Sequence, residues 1–288
     1  MVTLIGEITS NASEVFLKMW KTQIESATRL YQEHRHSNYE IAMVLNGKGR
    51  YSTVNGIQSI SKGDVFIFPS NEAHYILQIE KDGLEMVNLH FNCSFFQAAC
   101  TISARYPNLF FVHSRHFTTK ISSEDAGTLC ILIENIVQEL TQRRSEYKTV
   151  IHSLLNLIFA ELVRSHGYYH LEEKAHTSIE KIASGLQFIN MHYLENISLK
   201  EIAAQSALSP NYYTKLFKDT IQVRLWDYII SKRIETAKEL LLKNGERNIL
   251  EIALACGFNN TANFNRAFLK FTGVTPTEYK HTQDIFLY

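Results

Sequence analysis

The sequence predicts a mixed chain in two parts: a small antiparallel β-barrel followed by helices, then an all-α part in which a long helix joins two helix-turn-helix units. Three observations carry this. Short alternating apolar runs fill residues 39–91, a helix-start sequence occurs twice at a separation of fifty positions, and elsewhere the apolar spacing changes from two to three and four. At 288 residues the chain can hold two domains of ordinary size, each with its own core.

The runs Ile41-Ala42-Met43-Val44-Leu45, Gly49-Arg50-Tyr51-Ser52-Thr53-Val54, Val65-Phe66-Ile67-Phe68 and Tyr75-Ile76-Leu77-Gln78-Ile79 each predict a strand of about five residues. Asn55-Gly56 between two of them predicts a hairpin whose two central residues take positive φ. Short antiparallel strands at this spacing point to a sandwich or small barrel.

Within these strands stands His34-x-His36-x-x-x-Glu40, then Gly47 after six further residues, and later Gly63-Asp64, Pro69 and His74. This resembles the two cupin motifs, with Asn71 where cupin enzymes commonly have Gly. The resemblance implies a cupin-like barrel, a double-stranded β-helix. In cupin enzymes the three His and the Glu bind a metal, and such ligands suit iron, zinc, nickel or manganese.

Two amphipathic stretches follow. Leu129, Leu132, Ile133, Ile136 and Leu140 form one helical stripe, and Val150, Ile151, Leu154, Ile158 and Leu162 another. The segment 166–177 is polar, contains Gly167, His166, His170 and His176, and is expected to be a linker whose His are solvated. The domains are then 1–165, the barrel with its helices, and 178–288.

In the carboxyl-terminal part, Ser198-Leu199-Lys200-Glu201-Ile202-Ala203 returns as Asn248-Ile249-Leu250-Glu251-Ile252-Ala253. Each copy starts with a capping box, a Ser or Asn followed three residues later by Glu. The first copy runs through a turn into a helix beginning at Pro210, where Tyr213, Leu216 and Phe217 are apolar and Asn211, Thr214, Lys215 and Lys218 face outward. The second turns at Gly257, which accepts positive φ, into a helix from Thr261 that buries Phe264, Ala267 and Phe268. Its outward residues are Ala262, Asn263, Asn265, Arg266 and Leu269. A helix from Arg224 to Lys243 joins the copies and spans on the order of 30 Å, close to one turn of DNA.

A short helix, a tight turn and a second helix is the plan that places its second helix in the major groove, and Arg, Lys and Asn there suit guanine and adenine edges. The whole segment 178–281 resembles the DNA-binding domain of AraC/XylS-type transcription regulators. The resemblance rests on Ile252-Ala253, Gly257-Phe258, Phe264, Arg266, Phe268-Leu269-Lys270, Phe271, Gly273-Val274-Thr275-Pro276 and Tyr279. Departures from the family pattern are Ala207 and Gln222 where Gly is usual, and Arg224 where Ser or Thr caps the helix. The resemblance implies base contacts from Asn211 and Lys215 in the first unit and Ala262 and Arg266 in the second, with Thr214 and Asn265 next. Lys215, Lys218, Arg266 and Lys270 would supply the local positive charge.

In such regulators the pattern of His34, His36, Glu40 and His74 commonly hydrogen-bonds a small ligand at the barrel mouth. The expected protein is a transcription regulator, an activator, not an enzyme, with no metal and no cofactor. Its partners are double-stranded DNA, a small-molecule effector of the sugar type, a second copy paired through one of the two amphipathic helices, and RNA polymerase. A metal-dependent cupin enzyme fused to a helical domain is the alternative.

Composition fits this reading without selecting it. The chain has 29 Lys plus Arg against 29 Asp plus Glu, so no broadly basic coat binds nucleic acid. Residues 178–288 hold 13 basic against 11 acidic side chains, a small excess of the right sign. Four Cys without a recognisable spacing and no long apolar run predict a cytoplasmic protein that no membrane holds.

Overall fold

Two long strands dominate the amino-terminal part of the computed structural model, which describes residues 1–9, 15–25, 36, 38–69, 72–91, 118–168, 173–221, 223–242 and 247–281. The strands are β1 (Val2–Thr9), β2 (Val15–Ile24), β3 (Tyr39–Thr53), β4 (Gly56–Ser61), β5 (Val65–Phe68), β6 (Tyr75–Phe91) and β7 (Lys120–Ile121). They form one sheet in the order β1-β2-β6-β3-β5-β7, with β4 also on β3.

β3 has 15 residues and β6 has 17, so three of the four expected strands are segments of longer ones, while Val65–Phe68 stands alone as β5. The runs 41–45 and 49–54 belong to a single strand because the residues between them bend it without ending it. The β3–β6 register shifts between Val44/Asn46, Gly47/Gly49 and Arg50/Tyr51. Gly47 and Gly83 hold φ of 94° and 75°, and a Cβ on Gly47 would run into the Gly83 carbonyl. Beyond the bend β3 exchanges β5 for β4 as its second neighbour. Ala42, Val44 and Met86 from one half share an apolar cluster with Tyr51, Ile60, Ile76 and Ile79 from the other, so the sheet folds over a common core.

The hairpin at Asn55-Gly56 forms, but Thr53 pairs with Gly56 and only Gly56, at φ 92°, is left-handed. Thr53 Oγ1 accepts the Asn55 N–H at 3.2 Å and donates to the Gly56 carbonyl at 3.0 Å, which fixes the turn in place of the expected pair of positive φ values.

The opposite face of the sheet is covered by α1 (Gly127–Gln142) and α2 (Tyr147–Ser165). Leu129, Ile133, Ile136 and Leu140 of α1 are buried as their spacing predicts. On α2 the buried row is Ile151, Leu155, Ile158, Phe159 and Leu162, and Phe159 meets Phe91 edge to face at 5.7 Å. Val150 and Leu157 stand outward at 38% and 53% exposure, so the stripe read from sequence is rotated by about one position at its start.

The chain divides into compact units, the first covering Met1–Glu33 and Asn38–His176 and the second having 177–288 as its body. α3 (Glu173–His192) begins inside the segment expected to be a linker, and His166, expected to be solvated, is half-buried with an enclosed Nε2. α4 (Leu199–Gln205) and α5 (Pro210–Ile221), the joining helix α6 (Leu225–Leu242), then α7 (Ile249–Ala255), α8 (Thr261–Thr272) and α9 (Pro276–His281) complete the second unit. Its second core packs Ile234, Ala237 and Leu241 of α6 against Ile252, Ala253, Phe258, Phe264, Phe268 and Tyr279.

Candidate nucleic-acid interface and effector site

Both helix pairs start as the repeated sequence dictates. Ser198 Oγ accepts the Glu201 N–H at 3.2 Å while Glu201 Oε2 accepts the Ser198 N–H at 2.7 Å. In the second copy both corresponding bonds, between Asn248 and Glu251, are 2.9 Å. Each carboxylate satisfies a helix-start N–H that has no partner within the helix. Hydrogen bonds from the Ser198 side chain and backbone hold the Glu201 carboxyl below its ordinary value.

The turns are equivalent too. Leu208 N–H bonds the Ala203 carbonyl at 3.1 Å and Phe258 N–H the Ala253 carbonyl at 3.0 Å. Ala207 and Gly257 occupy the same left-handed place, at φ 52° and 77°. Past the turn the offset between copies grows from fifty to fifty-one, because Ser209 caps α5 while Asn260 caps α8. Asn211, Thr214 and Lys215 therefore correspond to Ala262, Asn265 and Arg266.

The buried faces are Tyr213 and Phe217 on α5 and Phe264 and Phe268 on α8. Their burial leaves Asn211, Lys215 and Lys218 exposed on α5 and Ala262, Asn263, Asn265, Arg266 and Lys270 exposed on α8. Thr214 is half-buried and turns its hydroxyl to the Pro210 carbonyl at 2.9 Å. Arg266 lies along α8, donating to Asn263 Oδ1 at 2.6 Å, and Lys270 pairs with Asp227 of α6 at 2.8 Å. Arg266 and Asn263 are thereby held as a pair on the exposed face of α8. Tyr213 packs against Gly185 of α3, whose N–H bonds Ser206 at 3.0 Å, so α3 supports the first pair from behind. Of the departures, Arg224 precedes α6 without disturbing it, and Gln222 lies outside the described residues.

In the first unit the register aligns Lys18, His90, Glu40 and Phe68 in one row across β2, β6, β3 and β5, and Trp20, Asn88, Ala42 and Phe66 in the next. Glu40 is buried, and its Oε2 lies 3.1 Å from His74 Nε2 and 3.0 Å from His90 Nε2. His74 is fully buried, stacks on Phe68 with ring centroids 3.8 Å apart, and turns Nδ1 to the Glu72 carbonyl at 3.0 Å. The sequence-predicted Glu40 and His74 are thus brought together. His36 is buried. Two imidazoles and a carboxylate are a donor set that a divalent transition metal could take, and equally one that hydrogen-bonds hydroxyl groups. His34 lies outside the described residues.

Sequence reasoning missed His90, and with it Trp20, whose ring stands edge-on to His90 at 4.4 Å. The signal was available: extending the β6 alternation from Leu84 and Met86 places Asn88 and His90 on the same face as Glu40. Among the described residues no helix is long and apolar enough to cross a membrane.

Comparison with known proteins finds a family for each part of the chain. The family described as "AraC-like ligand binding domain" matches residues 24–157, and that described as "Helix-turn-helix domain" matches 202–282. The uncharacterized HTH-type transcriptional regulator YdeC of Bacillus subtilis is 24% identical over 96% of both chains. The Msm operon regulatory protein of Streptococcus mutans is 23% identical over 84% of each. An uncharacterized HTH-type transcriptional regulator of Staphylococcus aureus is 26% identical, but the chain spans only 31% of its length. Among solved structures, ToxT from Vibrio cholerae superposes with a TM-score of 0.62 at 14% identity, over 92% of this chain and 98% of that one. With an AraC-like ligand-binding domain over its sheet and helix-turn-helix units built on its repeat, the chain belongs to the AraC-type family of DNA-binding transcription regulators.

Proposed function

We propose that the chain is a sequence-specific activator of transcription, controlled by a neutral carbohydrate-type effector and working in the cytoplasm as a homodimer that meets RNA polymerase at its target promoters. The observation that carries the DNA-reading part is the equivalence of the two outward faces. Asn211, Thr214, Lys215 and Lys218 in one unit and Ala262, Asn263, Asn265, Arg266 and Lys270 in the other stand on helices with matching caps, turns and buried aromatic pairs. α6, with 18 residues, is about 27 Å long, close to the spacing of successive major-groove faces.

The effector part rests on the polar end of the inner face, where Glu40 and His74 meet, with His34 and His36 on the approach to β3. A ligand there acts only if it binds the DNA-competent arrangement more tightly than the other. The outward row of Val150, Leu154 and Leu157 on α2 supports pairing with a second copy. We place the boundary between effector and DNA-reading parts in the residues ahead of 178.

Selection of genomic fragments by the purified full-length protein at near-physiological salt tests the reading. The expected result is enrichment of a site holding two short boxes about one helical turn apart. Recovery of fragments with no shared sequence would overturn sequence-specific reading.

A further inference from the structure

Trp20 is 5% exposed, yet its indole Nε1 has no hydrogen-bond partner among the described residues. An indole N–H only donates, and a buried donor without an acceptor is rare in native proteins unless something else binds there. Asn88, directly opposite in the register, gives its own amide to Thr22 Oγ1 at 2.9 Å. Beside Trp20 on the same inner face lie His90, with ring centroids 4.4 Å apart, and through it the Glu40 carboxylate, 3.0 Å from His90 Nε2. Lys18 places its ammonium 5.9 Å from the Trp20 ring centre. Ala42 is the smallest side chain in Trp20's row, beyond it comes Phe66, and Phe68 stands in the adjacent row with Glu40.

We propose that Trp20 and His90 are effector-contacting residues, neither of which belongs to the His34, His36, Glu40 and His74 pattern. Trp20 Nε1 donates to an oxygen of a neutral hydroxylated ring, and Glu40, held by His90 and His74, accepts a hydrogen bond from a hydroxyl of the same molecule. A hydroxyl fits both groups because it donates and accepts. The apolar face of such a ring lies against the aromatic side chains of the row. This inference rests on the effector reading above and adds the residues that select the ligand's chemistry.

The chain has two tryptophans, so Trp226→Phe leaves Trp20 as the sole indole. The full-length Trp226→Phe protein is titrated with pentoses, hexoses, disaccharides and polyols while indole emission is followed. The expected result is a saturable emission shift with at least one of them. Calorimetry with that compound should then show at least tenfold weaker binding to the Trp20→Phe variant of the natural sequence. Should Trp20→Phe melt too low to be read, His90→Gln supplies the second test, with the same loss expected.

Unchanged affinity in both variants overturns the assignment. So does a panel that leaves the emission unmoved, or a shift produced only by carboxylic acids, phosphorylated sugars or zinc ions. None of these outcomes touches the selection of DNA sites, so failure of the subsite and failure of DNA reading are separately visible.

Discussion

Arg233 of α6 donates from its guanidinium to the carbonyl of Gly257 at 2.7 Å. The same side chain reaches the Tyr193 carbonyl at 2.6 Å and the Glu195 carbonyl at 2.7 Å, both just beyond α3. Gly257 is confined from the other side: a Cβ there would lie 2.5 Å from the Leu194 carbonyl and 3.0 Å from Arg233 Cζ. The end of α3, the middle of α6 and the turn of the second helix pair therefore meet at one cation, and burial lowers the pKa of that guanidinium.

Arg233→Ala should destabilise the carboxyl-terminal unit by about 2–4 kcal/mol, since three carbonyls lose charged donors together. Arg233→Lys should recover less than half, because one ammonium cannot span the fork. Urea denaturation of the full-length protein, with hydrogen exchange at residues 255–260, reads both. Equal stability of the Lys variant and the natural protein would show that charge alone is needed.

Ala207→Gly should raise stability by about 0.5–1 kcal/mol, because Ala207 holds φ 52°, where a Cβ is unfavourable. The gain is less than the full conformational penalty, since Gly also frees the unfolded chain. Thermal melting measures it, and a lower midpoint would contradict the strain.

Arg266→Ala should cost roughly 1–3 kcal/mol on the selected site and relax specificity at one base pair, whereas Lys218→Ala should weaken all sequences alike. Competition binding on the selected site and a scrambled duplex separates them. Equal losses on both duplexes for Arg266→Ala would remove it as a base reader.

The capping carboxylates of Glu201 and Glu278 are held below their ordinary value by hydrogen bonds from Ser198 and Thr275 respectively. The folded state thus binds these protons less readily than the unfolded chain. Their stabilisation is complete above the ordinary carboxylate value of 4.5 and is lost as pH falls through the lower folded values. The Glu201→Gln, Glu278→Gln double variant should show a shallower loss of stability over that acid range. A series of urea titrations from neutral to acid pH tests the slope.

Local sequence signals were legible where local physics decides. The two capping boxes, the left-handed Gly257 and the buried Phe264 and Phe268 all follow from short-range hydrogen bonding and helical spacing. β1 and β2 were not read, and β3 was divided at Asn46-Gly47-Lys48 because a bulge and a turn use the same residues. Whether the chain bends or reverses there depends on Gly83, thirty-six positions away. Glu40 and His74 were legible from a motif, but Trp20 and His90 join them only through register across β2, β6 and β3. Helical spacing does not single out Arg233, since its three acceptors come from distant turns.

The exposed pair of Lys270 and Asp227 changes how ion counting must be interpreted. When α8 settles on a duplex and Lys270 meets a phosphate, the ammonium leaves one anion for another. The phosphate sheds a counterion, but Asp227 takes one up, and the two exchanges nearly cancel. The slope of binding against salt will then fall about one ion short of the phosphate contacts that the protein makes, and removing Asp227 should restore the missing ion.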